Sequence, residues 1–275
     1  MAILAGIVAQ VLEDRFGHIG PFQGAVALTA LALLLVLGWE ENYGETKDSD
    51  HTESSLYHQF TEGWKVTLQD SRVWKIGLTQ ALSEGAMYTF VFMWVPTLLS
   101  MDPPGGVPTG CVFSSLMIAI TMGGMLFPVM QSFVGNMINK QNVSEVTASL
   151  IYMMASISMA IPALCLSAAV DIGSCFQNIL VAFVVVECCV GLFNPVAGTL
   201  RSKYVPDALQ GGILNIFRLP LNAIVVSGTF ATDYLPAYQV FAMISVCFMA
   251  ASFIQLSLAN NPAITTTSPT KKKKE

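Results

Sequence analysis

Of 275 residues, 53% are hydrophobic and only 11% are charged, with 13 Lys and Arg against 18 Asp and Glu. Soluble domains carry roughly 25% charged residues, so this chain lacks the polar side chains to cover a water-soluble globule of its size. The charges fall mostly between apolar runs, and apart from one terminal lysine run there is no basic patch to engage nucleic acid.

Apolar runs near the ~20 residues that a ~30 Å hydrocarbon core requires recur along the chain. They predict eight membrane segments: 1–12 (partial), 22–38, 73–100, 111–134, 146–171, 176–200, 211–235 and 238–259. The first lacks a basic leader and a small-residue cleavage site, which disfavours a signal peptide. It reads as the rear of a transmembrane helix, and a fragment or shortened isoform is expected. Pro96, Pro128, Pro162, Pro195 and Pro220 lie in or near spans. A membrane bundle tolerates them because neighbouring helices satisfy the freed backbone groups.

The connections alternate in charge. Lys47, Lys65, Arg72 and Lys75, then Lys140, then Arg201 and Lys203, then Lys271 to Lys274 fall on one side. The opposite short loops, 101–110, 172–175 and 236–237, contain no Lys or Arg, and only Arg15 breaks the pattern. Positive charge inside places both termini in the cytoplasm. Residues 39–72 are polar and acidic and read as a solvated linker between two spans in front and six behind. The terminal lysines fix orientation, meet anionic lipid, or act as a retrieval signal to the endoplasmic reticulum. Asn142-Val143-Ser144 matches a glycan acceptor, but on a loop expected in the cytoplasm, where it stays unused.

The six cysteines, Cys111, Cys165, Cys175, Cys188, Cys189 and Cys247, have no metal-ligand spacing and read as buried apolar groups, with a Cys111–Cys175 disulfide as the alternative. The three histidines fall in loops. No nucleophile elbow, metal motif or phosphate-cradling glycine loop is present, so no cofactor and no enzymatic activity are expected.

Ionisable groups inside apolar spans mark the candidate site, since burying one there costs at least a few kcal/mol. Arg218 lies ~10 Å from the cytoplasmic start of its span and Glu187 ~14 Å from the same face, on consecutive antiparallel segments. They are expected to be partners, either as a structural ion pair or as a switch in which Arg218 releases its carboxylate to take an anion. Glu84 sits ~12–16 Å deep by the same count, bound to nearby hydroxyls or carrying a coupling proton. Asn194, Asn215 and Asn222 add donors to an anion or join helices.

Four stretches carry a resemblance: WEENYG (39–44), FVFMWVP (90–96) preceded by Glu84, VECCVGLFNPVAGTLRSKYVP (186–206) and GILNIFRLPLN (212–222). With them the chain resembles the molybdate-anion transporter family of the major facilitator superfamily over nearly its whole length. Glu40 departs from the glycine or serine expected there. The resemblance implies an all-α membrane protein, a major-facilitator-type helical bundle of about eight transmembrane segments with an incomplete first half. Residues 1–38 then correspond to the last two helices of the N-terminal half and 39–72 to the cytoplasmic linker. Residues 73–260 form the C-terminal six-helix bundle, and 261–275 a cytoplasmic tail. The implied function is uptake of molybdate or a similar oxyanion by alternating access at the plasma membrane. Arg218, Glu187, Glu84, Asn215 and Asn194 are the expected substrate-binding residues. Alternating access needs two halves, so the missing N-terminal half or a full-length copy is an expected partner beside the lipid bilayer. The alternative is a shortened isoform that does not transport and instead associates with or retains a full-length carrier.

Overall fold

Apolar runs of bilayer length satisfy their backbone groups by coiling, and in the computed structural model helices joined by short turns make up the residues it describes, 2–39, 52–101, 103, 105–138, 142–167, 172–206 and 209–260. Among them are nine helices: α1 (Ala2–Phe16), α2 (Gly20–Val36), α3 (Thr52–Gln69), α4 (Ser71–Ser100), α5 (Thr109–Met137), α6 (Val143–Ser167), α7 (Ile172–Tyr204), α8 (Gln210–Tyr234) and α9 (Ala237–Ala259). Each of the eight expected segments coincides with a helix. Five of these, α5 to α9, are long and apolar enough to cross a membrane. Lys47, Lys140 and the lysine tail lie outside the described residues, as does most of the WEENYG stretch.

Two boundaries differ from expectation. The stretch read as a solvated linker carries α3, which packs on α8 and α4. Its polar composition hides that role, because only Gly63 and Thr67 of its last turns are buried, with Gly63 against Ile213. The loop expected at 172–175 is the first turn of α7.

The helices stop and start for local reasons. Gly17, at φ 71°, adopts the left-handed turn that glycine takes without a Cβ penalty, so α1 ends and α2 begins. Asp70 caps α4 by accepting from the Arg72 amide at 2.9 Å. Its carboxylate also accepts from Arg72 Nε at 3.0 Å and Nη2 at 2.9 Å. These bonds hold the Asp70 carboxyl below its ordinary range, more than partial burial raises it.

Helices α4, α6, α7 and α9 form the centre. An aromatic chain joins three of them, with Phe90 of α4 edge-on to Phe183 of α7 at 5.0 Å and Phe183 5.7 Å from Phe241 of α9. The α6–α9 seam is polar at seven-residue intervals. Ser149 Oγ donates to Ser252 O at 3.0 Å while Ser252 Oγ donates to Ser149 O at 2.8 Å. Two turns along, Ser156 and Ser245 repeat the exchange, each at 2.8 Å. Asn142 Nδ2 extends the ladder to the Ala259 carbonyl at 2.7 Å. Small hydroxyls let the helices approach and bond across a medium that offers no water.

The α5–α7 crossing is closer still. A Cβ on Gly123 would stand 2.0 Å from the Cys188 carbonyl oxygen, and one on Gly191 2.0 Å from that of Ile120. Helix α1 packs on α5, where Gln10 Oε1 accepts from the Gly110 amide at 2.8 Å, and α2 leans on α1. All six cysteines are free thiols, and Cys175 neighbours Cys165 rather than bonding Cys111.

Candidate functional site

Gln80, Glu84 and Tyr88 recur at four-residue spacing and therefore share one face of α4. On α8, Leu214, Arg218, Leu221, Asn222 and Val225 form a second face by the same rule. These faces and Arg201 from the last turn of α7 line an open cavity of about 560 Å³. Its wall mixes charged and amide side chains with Leu214, Leu221 and Val225, although most of it sits on helices of membrane length.

Hydrogen bonds order the cavity. Gln80 Nε2 donates to Glu84 Oε1 at 2.8 Å, and Gln80 Oε1 accepts from Arg201 Nη1 at 3.4 Å. The amide thus relays between a guanidinium on α7 and a carboxylate on α4, which fixes its orientation. Arg218 reaches the same cavity from α8 with its side chain exposed, and both arginines act electrostatically on Glu84. Arg201 at the C-terminal end of α7 is also favoured by the helix dipole. Two guanidinium groups, the Asn222 amide and the Tyr88 hydroxyl offer donors, with one carboxylate opposing them.

The expected site residues divide. Glu84 and Arg218 line the cavity together, and so does Asn222. Glu187 is 4% exposed and does not line it. Among the described residues no hydrogen bond or ion pair joins it to Arg218, so the expected pairing is not made. The reason is the order of helices. Helix α4 packs against both α7 and α8, so Arg218 meets Glu84 rather than Glu187. Asn194 and Asn215 are exposed and lie off the cavity wall. Gln80, Tyr88 and Arg201 were not anticipated. The i, i+4, i+8 spacing from Gln80 to Tyr88 was the available signal for the first two.

A second polar cluster ties the same end of the bundle. Glu145, fully buried at the start of α6, accepts from Lys203 Nζ and from the Tyr204 hydroxyl, both at 2.6 Å. This joins α6 to the end of α7 and holds the turn on which Arg201 is mounted.

The family model for sugar transporters with twelve transmembrane segments, MFS_5, matches residues 1–187. The chain belongs to this family. Its members are transporters rather than enzymes. The molybdate-anion transporter of Xenopus laevis is 32% identical over 94% of this chain and 54% of its own length. That of Xenopus tropicalis is 31% identical over 94% and 54%, and that of Takifugu rubripes 29% identical over 84% and 50%. The chain therefore spans about half the length of the curated relatives it matches. No solved structure matches it.

Proposed function

We propose that this MFS_5 chain supplies the C-terminal, substrate-binding half of a carrier for molybdate or a similar oxyanion. The observation that carries the reading is the convergence of Arg201 and Arg218 on one polar cavity with Gln80, Tyr88 and Asn222 beside them. A guanidinium offers a planar fork of donors that suits tetrahedral oxyanions, and in a partly dry cavity such bonds are stronger than in water. Glu84 holds the arginines' charge in the empty cavity, and an entering anion takes its place. The names of the relatives favour molybdate among the oxyanions. Glu187, buried but off the wall, and Asn194 and Asn215 then act by supporting α7 and α8.

Transport by this reading is alternating access. Residues 1–38 belong to the first half, 39–72 to the connection, 73–260 to the second half and 261–275 to a tail, with both termini cytoplasmic. Rocking requires the complementary half. The test is uptake of radiolabelled molybdate by cells expressing this chain together with the missing first-half helices. Uptake above background, lost in both Arg201→Gln and Arg218→Gln, supports the proposal. Equal uptake by well-expressed Gln variants sinks it.

A further inference from the structure

None of the six cysteines lines the polar cavity, and their heights along the helices separate them. Cys188 and Cys189 on α7 and Cys247 on α9 lie at least ~15 Å from either end of their helices, at 1.5 Å per residue. Cys111, Cys165 and Cys175 instead lie within ~5 Å of a helix end by the same count. All three are at the end of the bundle whose short loops, 101–110, 172–175 and 236–237, contain no Lys or Arg.

Register decides which two of these three meet. Ser158 Oγ of α6 donates to the Ala182 carbonyl of α7 at 2.6 Å, and this bond fixes how the antiparallel helices align. Cys165 stands seven residues after Ser158, and Cys175 seven residues before Ala182. A seven-residue step returns to the same seam on both helices, so the two thiols come opposite each other. They are immediate neighbours, Cys175 buried and Cys165 partly open. Cys111 belongs to another seam, because α5 makes its close approach to α7 at Gly123 and Gly191, ~18 Å further along α5.

The side of the membrane supplies the chemistry. Loops without Lys or Arg mark the non-cytoplasmic face, where disulfides form and persist. We infer that Cys165 and Cys175 are a disulfide site that joins α6 to α7 at this face. The Cys165 thiolate, the more accessible, attacks one sulfur of an external disulfide and expels the other as a thiolate. Cys175 then attacks the Cys165 sulfur of the mixed disulfide and expels the second. Two cysteine thiols are oxidised, the external disulfide is reduced to two thiols, and the two protons pass to the departing sulfurs. The bond lies at the opposite end of α7 from the contacts of Lys203 and Tyr204 with Glu145. The helix that carries Arg201 is thereby held to α6 at both ends. The inference does not depend on which substrate occupies the cavity.

The experiment is peptide mapping of the purified full chain in detergent, reduced first and then equilibrated with a mixture of oxidised and reduced glutathione. Free thiols are blocked with N-ethylmaleimide, and the chain is digested without reductant for mass spectrometry. A bridged peptide pair holding Cys165 and Cys175 is expected in most chains, and it should disappear after dithiothreitol. Cys165→Ser should abolish it, whereas Cys111→Ser should leave its yield unchanged. Should either variant misfold, the wild-type map decides alone. Glutathione adducts without a bridge, both thiols blocked by N-ethylmaleimide, or a bridge from Cys175 to Cys111 would overturn the inference.

Discussion

Arg201 and Glu84 are linked through one side chain, with the Gln80 amide accepting from the guanidinium at 3.4 Å and donating to the carboxylate at 2.8 Å. A cation on α7 and an anion on α4 are thereby coupled across two helices by a neutral group that keeps both oriented.

Breaking this relay should weaken substrate binding without unfolding the bundle, because Gln80 is only partly buried. Hydrogen bonds to charged groups contribute about 1.5–3 kcal/mol. Gln80→Leu is therefore expected to raise the KM for molybdate about ten- to a hundredfold in the assembled carrier, with expression unchanged. An unaltered KM would mean that the relay is incidental.

The serine ladder makes a separate prediction about stability. Ser149 and Ser252 each donate to the other's backbone carbonyl, which alanine retains, so each Ser→Ala change removes one of the two bonds and leaves the other. Interhelical hydrogen bonds in membranes average about 0.6 kcal/mol, with a maximum near 1.7. Ser149→Ala and Ser252→Ala, read by unfolding in mixed micelles, should each cost an amount in that range, and the double variant close to their sum. A double variant no less stable than either single one would contradict the reciprocal geometry.

Two glycines on α7 should behave oppositely. Gly191→Ala drives a Cβ into the Ile120 carbonyl, so α5 and α7 must separate, at about 1–3 kcal/mol or more. Gly198→Ala meets nothing within 4 Å and gains helix propensity, so it should be neutral or slightly stabilising. Thermal unfolding of the two variants in detergent provides the comparison.

At the start of α4 the prediction concerns pH. Asp70 in the folded chain titrates below its unfolded value of about 3.9. Its stabilisation is therefore complete above that value and is lost as pH falls through the lower folded value. Asp70→Ala removes the cap and should cost about 1 kcal/mol near neutral pH. The ion pair adds little to this, since both side chains are about one-third exposed and screened. The difference from the wild type should shrink as pH falls below the ordinary aspartate range, measured by chemical unfolding at a series of acid pH values.

How much of this was legible beforehand differs by feature. The spans were, because hydrocarbon thickness fixes the length of an apolar run whatever the neighbours do. Helix α3 was not, since its composition is that of a solvated segment and only packing on α8 distinguishes it. Depth arithmetic placed Glu84, Glu187 and Arg218 at similar heights, but height does not fix direction around a helix or which helix lies next door. With α4 packed against both α7 and α8, Arg218 shares its cavity with Glu84 and leaves Glu187 aside. Arg201 read as a loop charge of the positive-inside kind. Only the extension of α7 to Tyr204, pinned through Lys203 and Tyr204 to Glu145, brings it to the cavity.

The claim that an oxyanion sits between Arg201 and Arg218 is tested most directly by equilibrium binding of radiolabelled molybdate to the purified chain assembled with its first-half helices. Saturable binding is predicted, at least tenfold weaker in Arg201→Gln and in Arg218→Gln and unchanged in Lys75→Gln, which lies off the cavity. Binding that survives both arginine substitutions at full strength would contradict the account.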